Sequence, residues 1–146
     1  MLADHGIALN GVVLISTVLN FETLSDNKGN DLGYVGFFPS YAAIAWYHKK
    51  LPPDLQQQTV EQVTAQAERF AGDGYTLALE RGAGLTHAQR QAVIDTIARF
   101  TGLSRAFIDQ NDLRIPLSRF DQELLRGQRL TVGRLDGRFT AYATDA

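Results

Sequence analysis

The sequence predicts a mostly helical protein with one or a few short strands at its N- and C-terminal ends. Between Pro39 and about Arg126, apolar residues recur at helical spacing in segments separated by glycines, prolines and capping residues. Strand-like runs occur near the two ends, at residues 11–16 and 130–132. A chain of 146 residues that is 45% hydrophobic and 21% charged can fold as one domain with a sizeable core.

The N-terminal run, residues 11–16, is continuously apolar and rich in β-branched side chains. This pattern is typical of a strand buried on both faces of a parallel sheet. The rest of the sequence supplies almost no comparable strand, so we expect this one to belong to the sheet of a larger α/β protein or to be buried in an oligomer. Residues 2–6 favour a truncated start, because they resemble the last turn of a helix closed by Gly6.

Two helices are predicted in the first half of the helical region. Pro39 opens the first, which ends before the proline pair at residues 52–53. Asp54 and Gln57 form a potential capping box for the second, and the glycines within residues 72–74 end it. The inner face of this second helix carries an apolar stripe, Val60, Val63, Ala67 and Phe70.

Clear local signals also mark the helices of the second half. Thr86 and Gln89 form a capping box at the start of a helix that ends at Gly102. Ser104 caps a helix of one or two turns, and Pro116 opens the last helix. The side chains expected to face inward from the longest of these helices are Val93, Ile97 and Phe100.

Turns are predicted on either side of the helical region. Residues 26–31 are a polar turn rather than a calcium loop, because Lys28 occupies a ligand position and the glycine is misplaced for an EF-hand. Asp136 and Gly137 form a turn after the strand at residues 130–132.

Charge and composition exclude several functions. The formal net charge is −2 and the pI is near 5.9, with no basic cluster longer than Lys49 and Lys50, so we expect no nucleic-acid partner. The apolar run at residues 12–15 is too short to span a membrane, and no basic n-region of a signal peptide precedes it. Without cysteine and without a zinc-binding histidine motif, we expect neither a metal nor a cofactor.

No catalytic residue is predicted within the chain. The nearest string to a Gly-x-Ser-x-Gly nucleophile elbow is residues 102–106, which lacks the final glycine and is better explained by two helix caps. Ser16 ends the apolar run but has no elbow glycines around it. A small enzyme that uses Ser16 with His48 and Asp31 is the interpretation we rank last.

Six strings appear together in a characteristic order. They are residues 10–16 (NGVVLIS), 18–21 (VLNF), 29–32 (GNDL), 38–43 (FPSYAA), 45–51 (AWYHKKL) and 132–136 (VGRLD). In this order and spacing, they resemble the bacterial branch of the serine carboxypeptidases, a family of the α/β-hydrolase superfamily. The resemblance runs from about Leu2 to Phe139. No single string is a catalytic signature.

The resemblance implies that the chain is mainly the helical lid inserted into an α/β-hydrolase. Residues 1–24 would be a remnant of the hydrolase core, residues 25–129 the lid, and residues 130–146 a return segment toward the core. The nucleophile elbow would precede this segment, and the other two triad members would follow it. The chain departs from the family pattern at Gly33, which follows the string at residues 29–32 and stands where a proline is expected.

The resemblance also implies a function for the whole enzyme, which would remove C-terminal residues from peptides through a serine nucleophile, a histidine base and a carboxylate. The partner would be the C-terminus of the peptide substrate, and the enzyme would be periplasmic or secreted. This segment would cover the active site and shape the substrate pockets, with Tyr34, Phe38 and Tyr41 as the expected lining residues.

A second interpretation comes from a different class of protein. The chain would be a stand-alone helical interaction module that forms a homodimer. Its interface would use the apolar strand at residues 12–15 and the aromatic face around Trp46. Dense aromatic residues in this region are typical of a core and also of an apolar pocket, so the pattern leaves both open.

Overall fold

The computed structural model of the chain describes residues 2–6, 8, 10–24 and 28–143. Their architecture is mostly helical with two short strands, which confirms the predicted fold class. The helices are α1 (Leu32–Tyr47), α2 (Pro53–Gln56), α3 (Val60–Phe70), α4 (Thr76–Arg81), α5 (His87–Thr101), α6 (Arg105–Gln110) and α7 (Leu117–Glu123). The strands are β1 (Leu130–Val132) and β2 (Thr140–Tyr142), and 3₁₀ turns lie at Leu2–His5, Phe21–Leu24, Gly82–Gly84 and Arg126–Gln128. Within this part of the chain, no helix is long and apolar enough to cross a membrane.

Helix α1 begins at Leu32, so the predicted start at Pro39 is wrong. Pro39 lies inside the helix, where it cannot donate the usual backbone hydrogen bond and where a proline costs about 3 kcal/mol. Burial on both sides of Pro39 offsets this cost, since Phe38, Tyr41 and Ala45 are all at most 2% exposed.

The capping box predicted from Asp54 and Gln57 is also wrong. Helix α3 is instead capped by Thr59, whose side chain accepts from Gln62 N while the Gln62 side chain accepts from Thr59 N. Asp54 lies in the one-turn helix α2 and pairs with Arg99 of α5. The predicted inner stripe is confirmed at Val63 and Ala67, and Val60 and Phe70 are half-buried.

The helix predicted to end at residues 72–74 continues through them. Ala71–Tyr75 form a π turn that leads directly into α4. This wider turn places Ala71 and Tyr75 in the core, where they are 3% and 2% exposed. Gly74 fits closely here, because a side-chain carbon on it would lie 3.2 Å from the Phe70 ring. Gly74 therefore permits close packing on Phe70 and does not mark a helix end.

In the second half of the chain, the predicted helix caps are confirmed. Thr86 and Gln89 form the capping box of α5, and the Ser104 side chain accepts from Phe107 N at the start of α6. Gly102 ends α5 at φ +68, and any side-chain carbon there would lie 2.9 Å from the carbonyl oxygen of Lys50. Helix α7 follows Pro116 as predicted.

Helix α1 lies at the centre of the core, packed against α3, α5 and the π turn. Its Phe38 ring contacts the rings of Phe70, Tyr75 and Phe100 at centroid distances of 5.3, 5.3 and 6.1 Å. One turn later, Tyr41 stacks on Phe120 of α7 at 4.2 Å. These aromatic contacts join elements from the whole length of the helical region.

The two strands form an antiparallel hairpin, the terminal hairpin (residues 130–142), in which Thr131 pairs with Ala141. The strand predicted at residues 130–132 is therefore confirmed. Val132 is 3% exposed and holds β1 against the helical body, whereas all of β2 is exposed.

The strand predicted at residues 11–16 does not form. The segment is irregular, Ser16 has a φ of +47, and no described strand pairs with it. Its four apolar side chains at residues 12–15 are 60–85% exposed. An apolar β-branched pattern stabilises a strand only where neighbouring strands cover it, and the one described sheet is the terminal hairpin.

Candidate functional site

The three predicted pocket residues lie together along α1. Phe38 and Tyr41 belong to the core, at 1% and 2% exposed, and are not among the lining residues of the two cavities described below. The Tyr41 hydroxyl donates to the carbonyl oxygen of Ile115 at 3.1 Å. Tyr34 is half-buried and packs on the core. Lining a substrate pocket stays a prediction for these residues, and the role visible in this chain is packing.

A largely apolar groove of about 440 Å³ lies between the C-terminal half of α1 and the terminal hairpin. Trp46 is fixed in its wall, because its ring nitrogen donates to the carbonyl oxygen of Gln58 at 3.0 Å. Lys49 Nζ lies 4.8 Å from the centre of the Trp46 ring, within cation–π range. The residues that line this groove are Ala43, Ile44, Trp46, Tyr47, Val60, Leu135, Asp136, Gly137 and Arg138.

The tip of the terminal hairpin is held on α1 by two contacts that the sequence did not predict. His48 Nε2 donates to the carbonyl oxygen of Gly137 at 2.7 Å. Gly137 also packs closely on Ile44, since a side-chain carbon there would lie 2.5 Å from Ile44 Cγ1. The turn is closed by an ion pair between Asp136 and Arg138, which lowers the pKa of Asp136 to about 2.

A second cavity, of about 380 Å³, lies at the N-terminal end of α1. It is acidic, with Glu22, Asp31 and Glu80 in its lining. Asp31 is engaged by Arg114, whose guanidinium makes hydrogen bonds of 2.7 and 2.8 Å to its two carboxylate oxygens. Within the described residues, no group of three or more histidines and carboxylates could hold a metal ion.

The polar turn predicted at residues 26–31 lies partly outside the described residues, which omit positions 25–27. Asn30 and Asp31, at its end, precede α1. The Asn30 side chain accepts from Leu32 N at 3.1 Å, as expected of a residue in a turn before a helix.

The residues of the lowest-ranked catalytic interpretation each have another role. His48 binds the hairpin at Gly137, Asp31 binds Arg114, and Ser16 is exposed in the irregular N-terminal segment. Ser104 caps α6, as the sequence predicted. The described geometry therefore supplies no nucleophile and base in contact.

One buried carboxyl was missed by the sequence analysis. Asp121 of α7 is 7% exposed, and its Oδ1 has no hydrogen-bond partner in the part of the chain that the structure describes. Burial raises the pKa of Asp121 to about 6, and Arg134 opposes this shift. An aspartate at this position of a helix has no local pattern that distinguishes it from an exposed one, because burial depends on tertiary packing, and α7 packs against β1.

Comparison of the chain with protein-family models, with curated proteins and with solved structures finds no match. The resemblance to serine carboxypeptidases therefore stays a prediction, which depends on the order and spacing of the sequence strings.

Proposed function

We propose that this chain is the helical lid of a hydrolase of the serine carboxypeptidase type, which covers the active site and shapes the substrate pockets. By itself it is catalytically inactive, because the nucleophile, base and carboxylate belong to other parts of the enzyme. The observation that carries the proposal is the contrast between two parts of the chain. Residues 32–125 form a packed helical core, while the apolar run at residues 12–15 is 60–85% exposed.

That contrast is expected of a lid with a short piece of the hydrolase core. A lid has its own core and folds largely on its own contacts, whereas a central strand is buried only when its neighbours are present. In the whole enzyme, the run at residues 12–15 would lie within the sheet. The peptide substrate would then meet the lid near α1, where Tyr34 is the predicted pocket residue that retains exposed surface.

A second candidate function, a homodimeric interaction module, is favoured by further exposed apolar side chains. Leu135, Phe139 and Tyr142 of the terminal hairpin are 100%, 71% and 86% exposed. Exposed apolar residues of this size are typical of an interaction surface. The two candidates differ in what covers the N-terminal run, a hydrolase sheet or a second copy of the chain.

A combined measurement on the purified chain separates these interpretations. Light scattering gives its mass over a concentration series, and the same sample is assayed with a blocked dipeptide, a p-nitrophenyl ester and a fluorophosphonate label. The lid proposal expects a folded chain without turnover and without label. A stable dimer that Val13→Asp dissociates, with helical content unchanged, would favour the interaction module. Both interpretations would be overturned if the chain showed turnover that is lost in Ser16→Ala and kept in Ser104→Ala.

A further inference from the structure

The base of the terminal hairpin packs on a buried carboxyl group. Strand β1 contacts α7, and Thr131 Oγ1 of β1 donates to the backbone oxygen of Asp121 at 3.1 Å. Asp121 is 7% exposed, and its Oδ1 has no hydrogen-bond partner among the described residues. The buried carboxyl therefore belongs to the residue on which the base of the hairpin docks.

The surroundings of Asp121 contain few charges that could stabilise its ionised form. Strand β1 has no titratable side chain, and α1, which packs on α7 through Tyr41 and Phe120, has no charged residue from Leu32 to Tyr47. Among the described residues, Arg134, just after β1, is the charged group that lowers the pKa of Asp121.

The acidic neighbour on the same helix, Glu123, is paired with Arg126. A carboxylate buried with a single distant counter-charge and an unpartnered oxygen is costly, whereas the protonated acid is much less so.

We propose that Asp121 is a proton-controlled latch, which holds the terminal hairpin on the helical body when it is protonated and loosens the hairpin when it is ionised. Undocking would give the carboxylate access to water and would open the groove beside Trp46, because residues 135–138 form one wall of that groove. The inference concerns contacts within this chain and does not depend on the hydrolase proposal.

The hydrogen bond at the hairpin tip needs a proton only on Nε2 of His48. His48 donates from Nε2 to Gly137, and a proton is present on Nε2 both in the imidazolium and in the neutral tautomer that makes this bond. Acidification therefore retains the tip contact while it protonates Asp121 at the base. Both ends of the hairpin are then docked at low pH.

The size of the effect follows from the proton affinity of the docked and undocked states. Burial raises the pKa of Asp121 from an ordinary 3.8 to about 6. A difference of about 2 units changes the docking equilibrium by roughly 100-fold between pH 4 and pH 7.5.

Amide hydrogen exchange on the full chain tests the latch. The reporter is Gly133 N–H, which donates to Phe139 O inside the hairpin at 2.8 Å, since a detached two-stranded hairpin is marginally stable. After correction for intrinsic exchange, we expect Gly133 to be less protected than Ile97 of α5. Its protection should fall by roughly 100-fold from pH 4 to pH 7.5, with most of the fall between about pH 4 and pH 6, the undocked and docked pKa values of Asp121. Equal protection of Gly133 and Ile97, or protection independent of pH, would overturn the proposal.

Three variants identify the titrating group. Asp121→Asn should remove the pH dependence of Gly133 protection, whereas Glu123→Gln, on the same helix, should retain it. Arg134→Gln should move the midpoint to higher pH, because Arg134 lowers the pKa of Asp121. If Asp121→Asn does not fold, the carboxyl carbon of Asp121 followed by NMR in the unmodified chain serves instead. Titration of that carbon near pH 4 would contradict the latch, as would an unchanged pH dependence in Asp121→Asn.

Discussion

Asp31 and Arg114, 83 positions apart in the sequence, form an ion pair with two hydrogen bonds, one to each carboxylate oxygen. Asp31 precedes α1, and Arg114 lies in the loop between α6 and α7, where it also donates to the carbonyl oxygen of Leu79 at 3.1 Å. Hydrogen bonding to Asp31 raises the pKa of Arg114, so the guanidinium keeps its charge. One guanidinium thus joins the start of α1, the end of α4 and this loop.

We expect Arg114→Met to destabilise the fold by about 1–3 kcal/mol, the range for hydrogen bonds to charged groups, because it leaves a half-buried carboxylate without its partner. Chemical denaturation followed by circular dichroism measures the change. Arg105→Met is the matched control, since its ion pair with Asp95 is more than 50% exposed on both sides, and its loss should cost less than about 1 kcal/mol. Equal effects of the two variants would contradict the special role of Arg114.

The loop around Arg114 is also fixed by two buried tyrosines. The Tyr75 hydroxyl donates to Leu113 O at 2.6 Å, and the Tyr41 hydroxyl donates to Ile115 O at 3.1 Å. The loop needs this support, because Leu113 has a φ of +66, which is unfavourable for a residue with a side chain.

Tyr75→Phe should therefore cost about 1–2 kcal/mol, as expected for a buried carbonyl that loses its donor. The free energy of unfolding of the variant measures this cost. Tyr47→Phe, at a side chain that is 47% exposed, is the control and should have little effect. A Tyr75→Phe variant as stable as the original chain would show that the loop does not depend on this bond.

Close packing at Gly137 predicts a second sensitive position. Gly137→Ala places a carbon 2.5 Å from Ile44 Cγ1, so the hairpin tip must move away from α1. We expect a loss of about 1–3 kcal/mol, the usual range for overpacking, together with a change in the fluorescence of the single tryptophan, Trp46, beside the tip. Gly127→Ala is the matched control, because a carbon at Gly127 meets no atom within 4 Å. An effect of Gly127→Ala as large as that of Gly137→Ala would contradict the packing argument.

The raised pKa of Asp121 predicts a dependence of global stability on pH. Because the folded state binds the proton more tightly than the unfolded state, this contribution is fully present below about pH 4 and is lost as pH rises through about 6. The expected loss is about 3 kcal/mol, because burial raises the pKa of Asp121 from 3.8 to about 6. Asp136 acts in the opposite sense, since its lowered pKa gives stability that is present above pH 4 and lost toward pH 2.

Urea denaturation at pH 4.5 and pH 7.5 measures the Asp121 contribution, because Asp136 is ionised at both values. Asp121→Asn should reduce the difference between the two free energies, and Asp136→Asn should leave it unchanged. The raised pKa of Asp121 would be contradicted if the chain were more stable at pH 7.5 than at pH 4.5 and if Asp121→Asn left this difference unchanged.

The exposure of residues 12–15 predicts that a substitution there has little effect on stability. Val13 is 85% exposed, so Val13→Asp should change the free energy of unfolding by less than about 0.5 kcal/mol. Val63→Asp, at a side chain that is 0% exposed, should prevent folding, because it buries an unpaired charge. Thermal unfolding monitored by circular dichroism separates the two outcomes. Marked destabilisation by Val13→Asp would mean that residues 12–15 belong to the folded core of this chain.

Local signals predicted those parts of the fold that local interactions determine. The capping box of Thr86 and Gln89 and the left-handed glycine at Gly102 involve residues within one turn of a helix end, so the sequence displays them directly. The predictions failed where packing overrides local preference. Pro39 is tolerated inside α1 because its neighbours are buried, and the segment at residues 72–74 continues as a π turn because this orients Tyr75 toward Leu113.

The groove and the buried carboxyl could not be predicted for a related reason. Gly137 reaches His48 across 89 positions of sequence, and the helix of Asp121 packs against a strand that follows it in the chain. Contacts between residues so far apart leave no pattern of spacing that can be recognised in a single sequence. The N-terminal run shows the converse case, because its pattern indicates a buried strand while the surface that would cover it is not among the described residues.

The most direct test of the lid proposal is the mass and reactivity of the native protein. Antibodies against this chain would capture the protein from its source, intact mass spectrometry would measure its size, and a fluorophosphonate would label any activated serine. The proposal predicts a protein well above the 16.1 kDa of this chain that is labelled at a serine in a Gly-x-Ser-x-Gly elbow. A native protein of 16.1 kDa that takes no label would contradict it.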